Sequence, residues 1–464
     1  MVTIWNPQIA GRPGPRYLAI ADAISEDLTL GRLTPGARLP THRDLADRLG
    51  VTVGTVSRGY TEAARRGLLS GEVGRGTFVR HWAYGQVALG STNATEGLVD
   101  LSVNHPPLGF GPAHRHALQD VLASLARRED LSPFLAYPPD GGSTAHRQAG
   151  ADWIGRTGLP AHPENVLVCS GSQHALATVF AAFLKPGDLV LTEALTYPGV
   201  KAAAALLHLR LQGLTLDGDG LRPDAFEAAC RNGGAKALYC VPTIQNPTTS
   251  VMPEARRREI AAIAESHGLP IVEDDIHALL PEERPVPIAA FAPDHCYYLT
   301  STSKTLAPGL RVGYILAPRG AADRIAAAIR AITWAGAPLM AEIASAWIRD
   351  GTADSIVRER RREAAARQAL ARAALRSADL LAHPQGHHLW LHLPEPWRSD
   401  TFTAEARRRG VKVTPSEAFA VERGLAPDAV RVCLGAPQSH EELEKGLRLV
   451  AETLAASPAS GFPV

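Results

Sequence analysis

The sequence predicts two folded units: an N-terminal winged helix-turn-helix of α+β type, and a larger α/β unit with a mainly parallel central sheet. Three observations carry this. The first 80 residues hold three short helical patterns followed by a glycine-punctuated hairpin pattern. From residue 165 onward short apolar strands (NVLVCSG, DLVLTE, ALYCVP, PIVED, CYYLTS, RVGYILAP) alternate with helical segments, as in a sheet whose faces are covered by helices. Between them, residues 81–97 lack periodicity and are rich in small and polar side chains, which reads as a linker. The expected division is therefore 1–80, 81–97 and 98–464, with a smaller subdomain beginning at about 346.

Composition fits that division. The chain has 464 residues, 45 % hydrophobic and 20 % charged, which allows two or three folded units with a large core. No apolar stretch is long enough to span a bilayer, and the start, MVTIWNPQ, has no basic segment followed by an apolar run. Five scattered cysteines contain no CxxC pair, so no disulfide or zinc framework is expected and a reducing cytoplasm fits. The net charge of +1 hides an asymmetry: residues 1–80 carry +4 and the rest −3. A polyanion partner is thus expected for the first unit alone.

In that first unit, RYLAIADAISEDLTLG places Leu18, Ile20, Ile24, Leu28 and Leu30 near helical spacing, with Gly31 as a stop. Thr41 and Thr52 read as N-caps of two further short helices, and Val56, Tyr60 and Ala63 as the buried stripe of the second. Two short helices so joined are a helix-turn-helix. LLSGEVGRGTFV then reads as a hairpin with Gly71 and Gly74/Gly76 at its turns, a wing. The second helix would point its free N–H groups at phosphates in a major groove. Arg43, Thr52, Thr55, Ser57 and Arg58 fall on the open side of these helices, and Arg75 at the wing tip.

The string from Gly31 to Val79 resembles the GntR-type winged helix-turn-helix over nearly all of residues 12–80. The resemblance implies DNA contacts at Arg43, Thr52, Thr55 and Gly74. It also exposes a departure. The family usually begins its recognition helix Ser-Arg-x-Thr-Val, whereas here Val53 stands for the arginine and Gly54 has no side chain.

In an α/β sheet ligands sit beyond the carboxyl ends of the strands, and the candidate chemistry of the larger unit falls there. Ser170-Gly171-Ser172-Gln173 ends one strand and opens a helix, a seat for a phosphate. Asn246 follows the strand ALYCVP, and Asp274 ends PIVED. The chain has only six lysines against 42 arginines, and one of them, Lys304, lies among small hydroxyl residues in TSTSKTLAPGLRVG. A desolvated lysine can lose its proton and form a Schiff base with an aldehyde. Together these residues suit pyridoxal 5'-phosphate. Asp274 would keep the ring nitrogen protonated, Asn246 would donate to the ring phenolate, and Tyr197 would stack on the ring. Ser172, Gln173, Ser301, Ser303 and Arg311 suit the phosphate. The Ala/Arg-rich stretch 358–376 reads as an exposed helix with a solvated charged face.

Over roughly 98–464 these motifs (SGSQ, TYPG, QNPT, EDD, SxSK and the arginine seven residues after the lysine) resemble class I/II aminotransferases of fold type I. The resemblance implies that Tyr137 reaches the phosphate of a partner subunit's cofactor, and that Arg431 clamps a substrate α-carboxylate. Here too there is a departure: three residues after Asp274 the family commonly has a tyrosine, and this chain has His277. The fusion of the two parts resembles the MocR subfamily of regulators. It implies a homodimer that binds a double-stranded DNA operator and senses an amino compound or the cofactor itself. A working transaminase with an accessory DNA-binding head is the alternative.

Overall fold

The computed structural model describes residues 5, 7–9, 14–29, 32–33, 37–65, 68–72, 76–79, 97–107, 112–422 and 426–456. The chain divides into two compact units, Met1–Gln86 and Val87–Val464. Leu30, Gly31, Gly74, Arg75 and all of the expected linker except Gly97 lie outside the described residues.

The first unit packs helices Arg16–Thr29, His42–Leu49 and Val53–Arg65 around Ile20, Ile24, Leu39, Leu45, Val56, Tyr60 and Ala63. Burying each of the larger aliphatic side chains contributes about 1.5–3 kcal/mol. The first and third helices meet at Gly59, where a Cβ would stand 3.0 Å from Ile20 and 3.1 Å from the Tyr17 carbonyl. Thr41 caps the second helix through Asp44 N (3.2 Å), and Gly50 ends it in the left-handed region at φ 59°. Strands Leu69–Glu72 and Gly76–Val79 form the expected hairpin, paired Leu69 to Val79 and Glu72 to Gly76. Gly71 lies within a strand rather than at a turn, because the pairing runs on through Glu72.

The larger unit is built on a seven-stranded sheet in the order Val166–Cys169, Gly313–Leu316, Cys296–Ser301, Ile271–Asp274, Ala235–Cys240, Leu189–Glu193, Arg210–Leu214. All neighbours are parallel except Gly313–Leu316, which is antiparallel to both its partners. That strand follows Cys296–Ser301 through residues 302–312, which contain one 3₁₀ turn and no crossover helix, so the chain reverses direction. Arg210–Leu214 was not expected from the sequence; it is an edge strand with mostly half-exposed side chains and no clean apolar run.

A second, antiparallel sheet runs Leu380–Ala382, His388–His392, Ala429–Cys433, Thr414–Pro415. Val99–Asp100 pairs in parallel with Val411–Lys412, so the residues after Gly97 pack with the C-terminal lobe. The Thr352–Ala374 helix departs from the expected solvated face. Arg360 and Arg367 are buried and donate to backbone carbonyls: Arg360 to Pro107 and Leu306, Arg367 to Leu434 and Pro437 (2.7 and 2.9 Å). Guanidinium groups with several carbonyl acceptors can be buried at tolerable cost, which a charge run in sequence does not reveal.

Candidate functional site

Asp274 and Ser301 end adjacent parallel strands, Cys169 ends another, and Lys304 follows Ser301 in the turn beyond its strand. The parallel register therefore gathers these residues at one edge of the sheet. Lys304 is half-buried, and its Nζ donates to the Asn104 carbonyl. Burial, followed by the nearby Arg431 charge, brings its ammonium down to about 8 from an ordinary 10.5. It is thus far closer to a neutral nucleophile than an exposed lysine.

Asp274 is fully enclosed. Its Oδ2 accepts from Tyr239 Oη at 2.8 Å, while Oδ1 has no partner among the described residues. Burial pushes this carboxyl up to about 7. Both ring nitrogens of His277 and the hydroxyl of Ser303 are likewise buried without partners among the described residues. Buried polar groups are nearly always paired, so a cluster of orphans marks missing bonding groups. A pyridine nitrogen, a phenolate oxygen and a phosphate would supply acceptors or donors of the required kinds. Pyridoxal phosphate therefore fits the residues present.

Arg431 is buried and fixed on three sides. Nη1 donates to Asn246 Oδ1 and Nη2 to the Ser102 carbonyl, both at 2.8 Å, and the guanidinium lies 4.7 Å from the Phe419 ring centroid. With its oxygen occupied, Asn246 keeps its amide N–H groups for another acceptor. Tyr197 is half-buried at the N-terminus of helix Pro198–Leu206, and burial raises its phenol to about 12. Gln173 Nε2 donates to the Gly199 carbonyl at 3.0 Å and so braces the Tyr197 turn. What Gln173 offers an anion is its backbone N–H, in the first turn of helix Ser172–Phe183 beside Ser172. Gly171 precedes that helix at φ 86°, and Arg311 lies so close that a Cβ there would stand 2.6 Å from its Nη2. Arg311 Nη2 donates to the Ser170 carbonyl at 3.2 Å. Ser301 Oγ accepts from Ser303 N at 3.4 Å.

His388 stands 6.1 Å from His277, ring to ring, and its Nδ1 lies 3.4 Å from Asn104 Nδ2. Burial holds both histidines well below the usual imidazole range, and His387 falls to about 3. Sequence reasoning missed Tyr239, Asn104, His388 and Phe419. Tyr239 sits on the strand beside Asp274, inside an apolar run, and nothing local marks its hydroxyl. Tyr137 is not gathered with this group. It is 79 % exposed and packs its ring 5.1 Å from that of Trp334.

In the first unit Arg43, Thr52 and Arg58 are exposed, as is Val53, while Thr55 and Ser57 are half-buried. Thr52 Oγ1 accepts from Thr55 N at 3.2 Å and lies 2.9 Å from Thr55 Oγ1, which makes it the cap of the third helix. Ser57 Oγ lies 3.3 Å from His42 Nδ1 and ties the two helices together.

Residues 16–79 match the bacterial regulatory proteins of the gntR family, and residues 96–450 match aminotransferases of class I and II. The chain is 33 % identical over 450 residues to YdeF of Bacillus subtilis, an uncharacterized HTH-type transcriptional regulator, covering 97 % of this chain and 96 % of that one. It is 24 % identical to the Escherichia coli regulator YjiR, also uncharacterized, covering 95 % and 98 %. Among solved structures it is similar to LysN, an α-aminoadipate aminotransferase of Thermus thermophilus complexed with N-(5'-phosphopyridoxyl)-L-leucine. That match has 25 % identity and a TM-score of 0.70 over 78 % of this chain and 92 % of LysN. Helix-turn-helix and aminotransferase fold thus recur in one order in relatives that match almost end to end, and the chain belongs to the MocR subfamily of GntR-type regulators.

Proposed function

We propose that this chain is a DNA-binding transcriptional regulator of the cytoplasm. In this reading its larger unit holds pyridoxal phosphate on Lys304 and responds to an amino compound. The observation that carries the reading is the pairing of a lysine eased to about 8 with a buried carboxyl whose second oxygen is unpartnered among the described residues, downstream of a capped recognition helix. When bound, the cofactor would supply an electrophilic aldehyde carbon and a ring able to withdraw electrons.

The chain's own residues do the rest. Asp274 would hold a cationic ring nitrogen. Asn246 and His277 would donate to the ring oxygen, and Tyr197 would stack on the ring. The N-terminus of helix Ser172–Phe183, with Ser172, Gln173 N–H, Ser301, Ser303 and Arg311, cradles the phosphate. Arg431 pairs with a carboxylate of the amino compound in a planar fork.

A second copy of the chain is part of the proposal. Leu131, Leu135, Tyr137, Ile332 and Trp334 are large apolar side chains exposed on the larger unit, and a homodimer would cover them. Two heads per dimer suit paired half-sites, with Arg43, Thr52, Thr55, Ser57 and Arg58, together with Gly74 and Arg75 of the wing, meeting the duplex. The test has two arms. The purified protein should carry a visible absorbance band that Lys304→Ala abolishes, and it should protect DNA upstream of its own gene. A wild-type protein with neither property refutes the reading.

A further inference from the structure

Arg431 is held by the Ser416–Val421 segment as well as by its own hydrogen bonds, and that segment is bolted to the larger sheet by a residue outside the site. Phe419 presents its ring to the Arg431 guanidinium and stands edge-on to Trp390 at 5.8 Å. Its backbone is tied to the turn that carries Tyr197: Thr196 N donates to the Phe419 carbonyl at 3.0 Å, and Val421 N to the Ala194 carbonyl at 2.9 Å. Leu195 and Ala420 form an isolated antiparallel bridge. Lys201, one turn into helix Pro198–Leu206, reaches across and donates through Nζ to three carbonyls of the segment: Glu417 (3.4 Å), Ala418 (2.9 Å) and Ala420 (2.7 Å).

Lys201 meets the segment through main-chain oxygens, while the Glu417 side chain is engaged by Ser399 Oγ at 2.5 Å. An ammonium with three carbonyl acceptors fixes backbone position in a way that a charge pair between two flexible side chains does not. It begins a chain of contacts that runs from Lys201 to the segment, from the segment's Phe419 to Arg431, and from Arg431 to Asn246.

We propose that Lys201 is a positioning residue for the Arg431 carboxylate clamp, acting through the Ser416–Val421 segment. The inference rests on the reading of Arg431 given above. Arg431 meets a planar carboxylate in a bidentate fork, and that geometry is sensitive to small rotations of the guanidinium. Without Lys201 the segment can shift, the Phe419 ring moves, and the guanidinium loses its fixed plane. Affinity for ligands that carry an α-carboxylate should fall, while affinity for the corresponding amines should not.

The experiment compares equilibrium binding of alanine and of ethylamine to cofactor-loaded wild type, Lys201→Met and Phe419→Leu. Circular dichroism and cofactor loading serve as folding controls. Wild type is expected to prefer alanine. Lys201→Met is expected to cut that preference roughly tenfold, with ethylamine binding unchanged. Phe419→Leu, which keeps the Lys201 contacts, is expected to give the same selective loss. It carries the test if Lys201→Met fails to load cofactor, and an undiminished preference in it then refutes the proposal. Equal loss for both ligands in Lys201→Met means a merely structural role and overturns the proposal, as does an unchanged preference. A wild type with no preference at all instead overturns the reading of Arg431.

Discussion

Asp274→Asn should make the cofactor-free protein more stable at alkaline pH and at the same time weaken cofactor binding. The two signs come from one carboxyl. Asp274 is buried with one oxygen unpartnered among the described residues, and burial raises it from 3.8 to about 7. At about 1.4 kcal/mol per pH unit, the ionised carboxylate costs the folded state about 4 kcal/mol. The sign follows from proton binding. The folded state holds the proton up to about 7 and the unfolded state releases it near 3.8. The cost is therefore absent in acid, grows across that interval and is complete above it. Asparagine keeps the shape and still accepts from Tyr239, but leaves an amide N–H₂ unpaired at about 1–3 kcal/mol. The variant should gain about 1–3 kcal/mol over wild type at about pH 8 and lose stability relative to it in acid. With cofactor present the balance reverses. Losing a charge-assisted bond to a cationic ring nitrogen costs about 1.5–3 kcal/mol, roughly 10- to 100-fold in affinity. Denaturant titrations of the cofactor-free full chain at two pH values, and equilibrium dialysis against pyridoxal phosphate, measure both. Destabilisation of the same size at both pH values, with cofactor affinity unchanged, would refute the argument.

In cofactor-free protein, covalent capture of Lys304 by an aldehyde probe should rise with pH through about 8 and level off above it; a midpoint near 10 means the amine is not desolvated. Thr52→Ala removes the Thr55 N–H acceptor and should cost about 1 kcal/mol of stability in the first unit, read by denaturation of the isolated head if it folds or of the full chain. Arg43→Ala or Arg58→Ala should each lower the salt slope of DNA binding by about one, with little change in sequence preference. A panel of amino acids mixed with loaded protein tests the alternative reading: rapid accumulation of the pyridoxamine form, without protection of DNA, marks a working transaminase.

The alternation of apolar strands with helices in the sequence corresponds to six strands of the large sheet, because strands buried on both faces leave near-continuous apolar runs. The edge strand Arg210–Leu214 left none, and its half-exposed side chains explain why. The reversed direction of Gly313–Leu316 could not be read either, since a strand's direction is set by its connection rather than by its residues. Lys304, Asp274 and Asn246 were legible because each is a polar group at the end of an apolar strand. Tyr239, Asn104 and Phe419 were not, for the opposite reason: an aromatic residue or a lone amide in such a place is most often core or turn. Their roles depend on neighbours distant in sequence, as when Asn104 and Lys304 meet across 200 residues. The arginines of Thr352–Ala374 misled for a related reason, since burial of Arg360 and Arg367 depends on four carbonyls from three other segments.

On the function proposed above, the electrostatics of the site favour an amino acid over a simple amine as the ligand. Lys304, Arg311 and Arg431 bring positive charge, and Asp274 is the carboxyl at the centre. His277, His387 and His388 add none, because burial holds all three neutral. In the proposed reading the phosphate of the cofactor would answer Arg311 and the helix N-terminus behind Gly171. Arg431 is left over. It is buried, it bonds the neutral oxygens of Asn246 and Ser102, and among the described residues no carboxylate lies within ion-pair distance of it. A buried cation without a counterion is unfavourable, and the chain has placed one near Lys304. A ligand carboxylate removes that penalty, whereas an amine leaves it standing. The difference is about 1.5–3 kcal/mol, enough for roughly 10- to 100-fold discrimination without any contact to the ligand's side chain.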